Sequence, residues 1–271
     1  MITLLLAALL GTANASENFR MRAPKVAQLR GVGYTPADVK AEIEFGRGLA
    51  ARILNTYPLV ENPQLQRYVA TLGAGLAAQV GRPELTFHFA VIDTPDVNAY
   101  ACPGGYILLT HGLVKLLSNE AELVGVLAHE IAHVNERHVV KKLKLKGKSD
   151  SAVDGLGAMI GGATASFRVA IQTLNAQAMK LLFEEGLMSS EETDADKTAI
   201  RAMHATGYDV AAWNTLLEKL RRNLEAGQAR VLAKTHPKVD DRVRLVRAFM
   251  KNNPGPAGRT NEQRFQRYAH P

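Results

Sequence analysis

Apolar residues recur three or four positions apart through most of the chain, the spacing that gives a helix one buried face. The first such stretch opens at Thr35-Pro36 and carries Ile43, Leu49, Ile53 and Leu54 toward about Thr56. Thr35 suits the N-cap, Pro36 the first helical position and Asp38 the first turn. Asn62-Pro63 opens a second helix by the same logic, with Leu65, Val69, Leu72 and Leu76 as its stripe. The pattern then changes. Residues 85–92 are rich in β-branched and aromatic side chains and read as a strand, followed by the turn signal Asp93-Thr94-Pro95-Asp96. Residues 98–101 and 106–110 read as two short strands joined through Cys102-Pro103-Gly104-Gly105. A small antiparallel sheet of about three strands is expected.

The strongest helical pattern follows. Asn119 is the expected N-cap and Glu122, three residues on, completes a start like a capping box. Leu123, Val126, Leu127, Ile131 and Val134 form its buried face, and it is expected to run from about Glu120 into the lysine-rich run 141–148. Residues 150–187 are Gly/Ala-rich and apolar, but Asp154, Arg168 and the glycines Gly155, Gly157, Gly161 and Gly162 argue against a membrane span. They read as a flap or a loosely packed helix. Further helices are expected from Ser189 to Thr206, ending at Gly207, over 210–224, and finally after His236-Pro237. With no repeat and no long linker, the reading is one α+β, mostly α, domain over residues 16–271.

Residues 1–15 stand apart. Ile2 to Leu10 is apolar, and Ala13-Asn14-Ala15 is a small-x-small site, so these residues read as a signal peptide, although no Lys or Arg precedes the apolar core. Export points to the periplasm, which suits a chain whose single cysteine, Cys102, excludes an intramolecular disulfide. Cys102 itself reads as a small buried hydrophobe. Composition changes little: 46% hydrophobic and 22% charged residues describe an ordinary globular protein, and the net charge of +7 is spread along the chain. The lysine run lacks interleaved aromatics, so nucleic acid is not an expected partner. Peripheral contact with a membrane surface stays open, but no transmembrane segment is expected in the mature chain.

The chemistry sits in His129-Glu130-Ile131-Ala132-His133. Positions four apart on a helix lie about 40° apart, so both imidazoles leave one face. That spacing suits two nitrogen ligands on one Zn²⁺, with Glu130 beside them to act on water. A catalytic site needs a third protein ligand. His138 is five residues beyond His133, about 140° away on a continuous helix, and reads as a surface or supporting residue. Glu192 and Asp196 share a helix face downstream: one carboxylate can bind zinc while the other supports a ligand imidazole. An acidic first turn complementing the helix dipole is the competing reading.

Taken together, the segment from Asn98 to Tyr106, Asn119-Glu120-Ala121-Glu122-Leu123 and the HExxH helix with Arg137-His138 resemble the gluzincin family that includes HtpX, BepA and the CAAX prenyl proteases. The resemblance spans about residues 35–250 and implies a zincin-type metalloprotease domain, in the manner of a soluble periplasmic branch without the tetratricopeptide domain. It implies Glu192 as third ligand, in a Glu-x-x-Ala-Asp segment, and Asp196 as its supporting carboxylate. It also singles out His236, in Thr235-His236-Pro237, and Arg242. Either can offer a second donor to a developing oxyanion, and His236 can alternatively cap the metal. Residues Asn98, Ala99 and Tyr100 look like the strand edge on which an extended peptide pairs. The expected function is zinc-dependent endoproteolysis of unfolded or misfolded envelope proteins, outer-membrane proteins among them. The alternative is a chaperone-like, zinc-containing binder whose capped site turns over slowly.

Overall fold

The structure, a computed structural model, describes residues 34–143, 165–225, 235–236, 239–252 and 258–269, with side chains from 165 to 171 left aside. The proposed signal peptide and residues 150–164 of the Gly/Ala-rich stretch lie outside the described residues.

Helices α1 (Pro36–Thr56) and α2 (Pro63–Val80) begin where their caps place them. Thr35 Oγ1 accepts from the Asp38 amide at 3.2 Å while Asp38 accepts from the Thr35 amide at 2.7 Å. Asn62 Oδ1 accepts from the amides of Gln64 and Leu65. Strands β1 (His88–Ile92), β2 (Ala99–Cys102) and β3 (Tyr106–Thr110) form a sheet in the order β1-β3-β2. The sheet is mixed, not wholly antiparallel. β2 pairs antiparallel with β3, Tyr100 opposite Leu108, whereas β1 pairs parallel with β3, Phe89 opposite Ile107. The segment after β1 carries the chain past the central position, so β3 returns between its predecessors and runs with β1. The reversal passes through Gly104 at φ 72°, where a Cβ would lie 2.5 Å from the Ile43 Cα.

The chain continues through α3 (His111–Leu116), α4 (Glu120–Asn135) and α5 (His138–Lys142). Next come α6 (Ala165–Lys180), a π-turn over Leu181–Glu185, and helices α7 (Ser189–Ala205) and α8 (Ala211–Glu225). Helix α9 (Val239–Asn252) and a further helix not anticipated from the sequence, α10 (Glu262–Ala269), complete the described elements. Every residue of α4 is buried, as suits a helix apolar on most of its surface. Gly125 permits this crowding, since a Cβ there would meet the Trp213 ring of α8 at 2.6 Å.

Alternate residues of each strand serve two cores, as a period of two requires. Ala99, Ala101, Ile107 and Leu109 pack with α2, α4, α8 and α9, while Tyr100, Cys102 and Leu108 pack with α1 and the π-turn. Cys102 is fully buried, and burial pushes its thiol up to about 12, consistent with an inert packing role. Helix α4 stops at Asn135 instead of entering the lysine run. Arg137 takes φ 53° and ψ 40°, and α5 starts afresh. The Arg137 guanidinium reaches Glu42 at 3.1 Å and lies over the Tyr34 ring, an anchorage from α1 that no local pattern reveals. Among the described residues, no helix is long and apolar enough to cross a membrane.

Candidate metal centre

The α4 backbone lifts His129 and His133 one turn apart, and their Nε2 atoms stand 2.9 Å from each other. Helix α7 packs across α4 and brings Glu192 to them: its carboxylate lies 3.4 Å from His129 Nε2 and 3.5 Å from His133 Nε2. Ligands about 2.1 Å from one tetrahedral zinc stand about 3.4 Å apart, so the three side chains nearly span the edges of such a site. Glu192 Oε1 is buried and lacks a hydrogen-bond partner, an arrangement that buried carboxylates avoid unless a cation satisfies them. The donor set fits zinc. His236 completes the cluster: one ligand atom from each of His129, His133, Glu192 and His236 falls within 4.8 Å of all the others. His236 Nδ1 lies 2.8 Å from Glu192 Oε2.

The surrounding charges hold this group in place. Arg242 of α9, buried, grips Asp196 with Nε at 2.9 Å and Nη2 at 2.7 Å, and its Nη1 lies 3.0 Å from Glu192. Its guanidinium is therefore turned toward two carboxylates. Asp196 Oδ1 lies 3.1 Å from His129 Nδ1, close enough for ion pairing but outside good hydrogen-bond alignment. Burial works against the Glu192 anion, yet His236 and Arg242 outweigh it and hold its pKa well below the usual range. Asp196 is likewise lowered: burial is overcome by Arg242. Burial pushes the Glu130 carboxyl up, with attraction from His129 opposing it only in part. Burial and the neighbouring His129 hold His133 well below its ordinary value, the neutral form that a metal requires.

Glu130 and His133 open onto a small hollow whose walls include Ala99, Ala101, Leu181 and Leu182. Of the strand residues expected to meet a peptide, Ala99 reaches the hollow. Asn98 is buried, its amide donating to Thr110 Oγ1 and its side chain lying 3.4 Å from the Thr235 hydroxyl. The Tyr100 ring belongs to the opposite face, stacked 4.3 Å from Phe183. Among the described residues, strand β2 is at the sheet edge, bonded to β3 on one side. One neighbour of the centre escaped the sequence reading. The ring of Trp213 lies 5.3 Å from that of His129; a lone tryptophan on an amphipathic helix carries no positional signal. His138, which read as a surface or supporting residue from the angle of a continuous helix, has its Nδ1 2.7 Å from His133 Nδ1, because the break at Arg137 voids that angle.

A buried HExxH helix, met by a carboxylate and its salt-bridged partner from a second helix, defines a metallopeptidase-type domain of the zincin kind. The chain belongs to peptidase family M48, whose family model matches residues 63–249. It is similar to the beta-barrel assembly-enhancing protease of Escherichia coli K12, 30% identical over 184 residues, 66% of this chain and 37% of that protein. A putative beta-barrel assembly-enhancing protease of Vibrio cholerae is 27% identical over 231 residues, 84% of this chain and 47% of the relative. The mitochondrial metalloendopeptidase OMA1 of Schizosaccharomyces pombe is 28% identical over 188 residues, 68% and 52% respectively. The chain thus spans about half, or less, of the length of these relatives.

Proposed function

We propose that the protein is a zinc-dependent endopeptidase of the periplasm that cuts unfolded or misfolded envelope proteins. The observation that carries this reading is the convergence of His129, His133 and Glu192 on one metal-sized point with Glu130 beside it. His129, His133 and Glu192 would hold the ion, which supplies Lewis acidity toward water and a peptide carbonyl. Glu130, with its carboxyl raised by burial, takes the proton of the attacking water and returns it to the leaving amine. Asp196 orients His129, and Arg242 fixes the two carboxylates relative to each other. Strand β2, which pairs with β3 alone among the described residues, suits an extended peptide, which it would bind through the backbone with little side-chain selection. That favours unfolded chains, outer-membrane proteins among them, and the names of the bacterial relatives, which speak of beta-barrel assembly, support this source. The test is metal analysis paired with cleavage of an unfolded outer-membrane protein. Glu130→Gln should keep its zinc and lose about 10²–10⁴-fold in turnover; undiminished cleavage by pure variant enzyme overturns the assignment.

One observation favours a second reading, a chaperone-like binder with a capped, slow site: the His236 ring stands within the same four-residue cluster. If His236 serves as a cap, His236→Ala raises turnover on an unfolded substrate. If it donates to the oxyanion, the same change lowers turnover, by about 10²-fold or more.

A further inference from the structure

Outside the four clustered side chains, His138 makes a close contact with the set that the proposed mechanism leaves unused. It reaches that position because α4 ends early. Arg137 sits in the left-handed region, unfavourable for an L-residue with a side chain, and is held there from outside. Its guanidinium reaches Glu42, and Glu42 is itself clamped by Arg82 at 2.6 and 3.0 Å. The reversal swings His138 back beneath His133, both rings buried, with 2.7 Å between the two Nδ1 atoms.

Two ring nitrogens at that distance share one proton. His133 Nε2 faces His129 and Glu192, so an imidazole that offers Nε2 to a cation must carry its proton on Nδ1. His133 then donates, and His138 Nδ1 accepts. We propose that His138 is a positioning residue of the metal centre, fixing the ring orientation and tautomer of His133 and strengthening it as a ligand. The inference rests on reading His129, His133 and Glu192 as the metal-holding set. It gives each ligand imidazole its own outer partner, Asp196 for His129 and His138 for His133.

The test measures zinc affinity by competition with a chromogenic chelator on the full chain, for wild type, His138→Asn, His138→Gln and His138→Leu. The Asn amide oxygen falls near the place of the imidazole Nδ1 and accepts. Gln keeps polarity and size but puts its amide elsewhere, and Leu accepts nothing. His138→Gln and His138→Leu should bind zinc about 10–100-fold more weakly, and His138→Asn should recover most of the loss. The visible spectrum of the cobalt-loaded protein should change in the first two and be restored in His138→Asn. Circular dichroism of the metal-free proteins separates this from misfolding, and the Asn–Gln contrast stands even if His138→Leu does not fold. Affinities of folded Gln and Leu variants within about twofold of wild type, or an Asn variant as weak as Gln, overturn the proposal. A wild-type chain that takes up no stoichiometric zinc overturns the reading of the centre itself, and this inference with it.

Discussion

Glu192 and Asp196 are anions with almost no exposure, and one guanidinium answers both. Arg242→Leu fits the space but takes the guanidinium from both buried carboxylates, leaving Glu192 with His236 beside it. We expect it to destabilise the metal-free protein by about 3–5 kcal/mol, read from a urea melt, because breaking a buried pair leaves charge without compensation. Arg242→Lys, which keeps the charge but loses the planar fork, should fall between that variant and wild type. At this scale the sequence is legible where chemistry is local. The imidazole spacing and the caps at Thr35, Asn62 and Asn119 depend on neighbours within four positions. Asp196 shares a helix face with Glu192, but Arg242 lies 46 residues beyond Asp196 and no spacing rule links them, so only its likeness to a family pattern drew attention to Arg242. The approach of Trp213 to His129 left no trace in the sequence at all.

Helix α4 is anchored at both ends by ionised groups, and although the Asn119 cap was legible in the sequence, neither ionised anchor was. At its start, buried Glu120 accepts from Tyr68 at 2.7 Å and Tyr208 at 2.6 Å, and from Asn261 and Arg264 of the C-terminal segment. Burial would raise its pKa, but these donors, Arg264 first, lower it overall. A carboxylate depressed in the folded state contributes stability above its unfolded value, about 4.3. That contribution disappears as pH falls through the folded value, since the unfolded chain binds the extra proton. Urea melts between about pH 5 and 3 should therefore show wild type losing stability more steeply than Glu120→Gln. A parallel pair of curves removes Glu120 from the acid response. The far end of α4 closes on Arg137 and Glu42, 95 residues apart in sequence, which is why periodicity alone extended the helix too far. The expectation of a wholly antiparallel sheet failed for the same reason. The hydrophobic alternation of 85–92 and 106–110 marks strands but says nothing about which neighbour each one meets, and α10 is too short and too polar for its pattern to stand out around Phe265.

Across the molecule, the centre ties helices α4 and α7 to the segment around His236, so a cation bound there should stabilise the whole domain. Ligand present at a hundred times its dissociation constant adds about 2.7 kcal/mol to the folded state. A chelator should lower the thermal midpoint and added zinc restore it. Glu130→Gln should keep that response, whereas Glu192→Ala should lose it. An unchanged midpoint on chelation would argue that no ion is held. One consequence follows from the spread of these residues along the chain. The two imidazoles are synthesised some sixty residues before Glu192, and Arg242, which steadies that carboxylate, comes fifty residues later still. On the proposed reading, a nascent or truncated chain ending before Glu192 would have the imidazoles without the acidic partner, and hydrolytic capacity would wait until distant parts of the polypeptide have docked. On that reading the order of the residues alone would delay activity until synthesis is nearly complete.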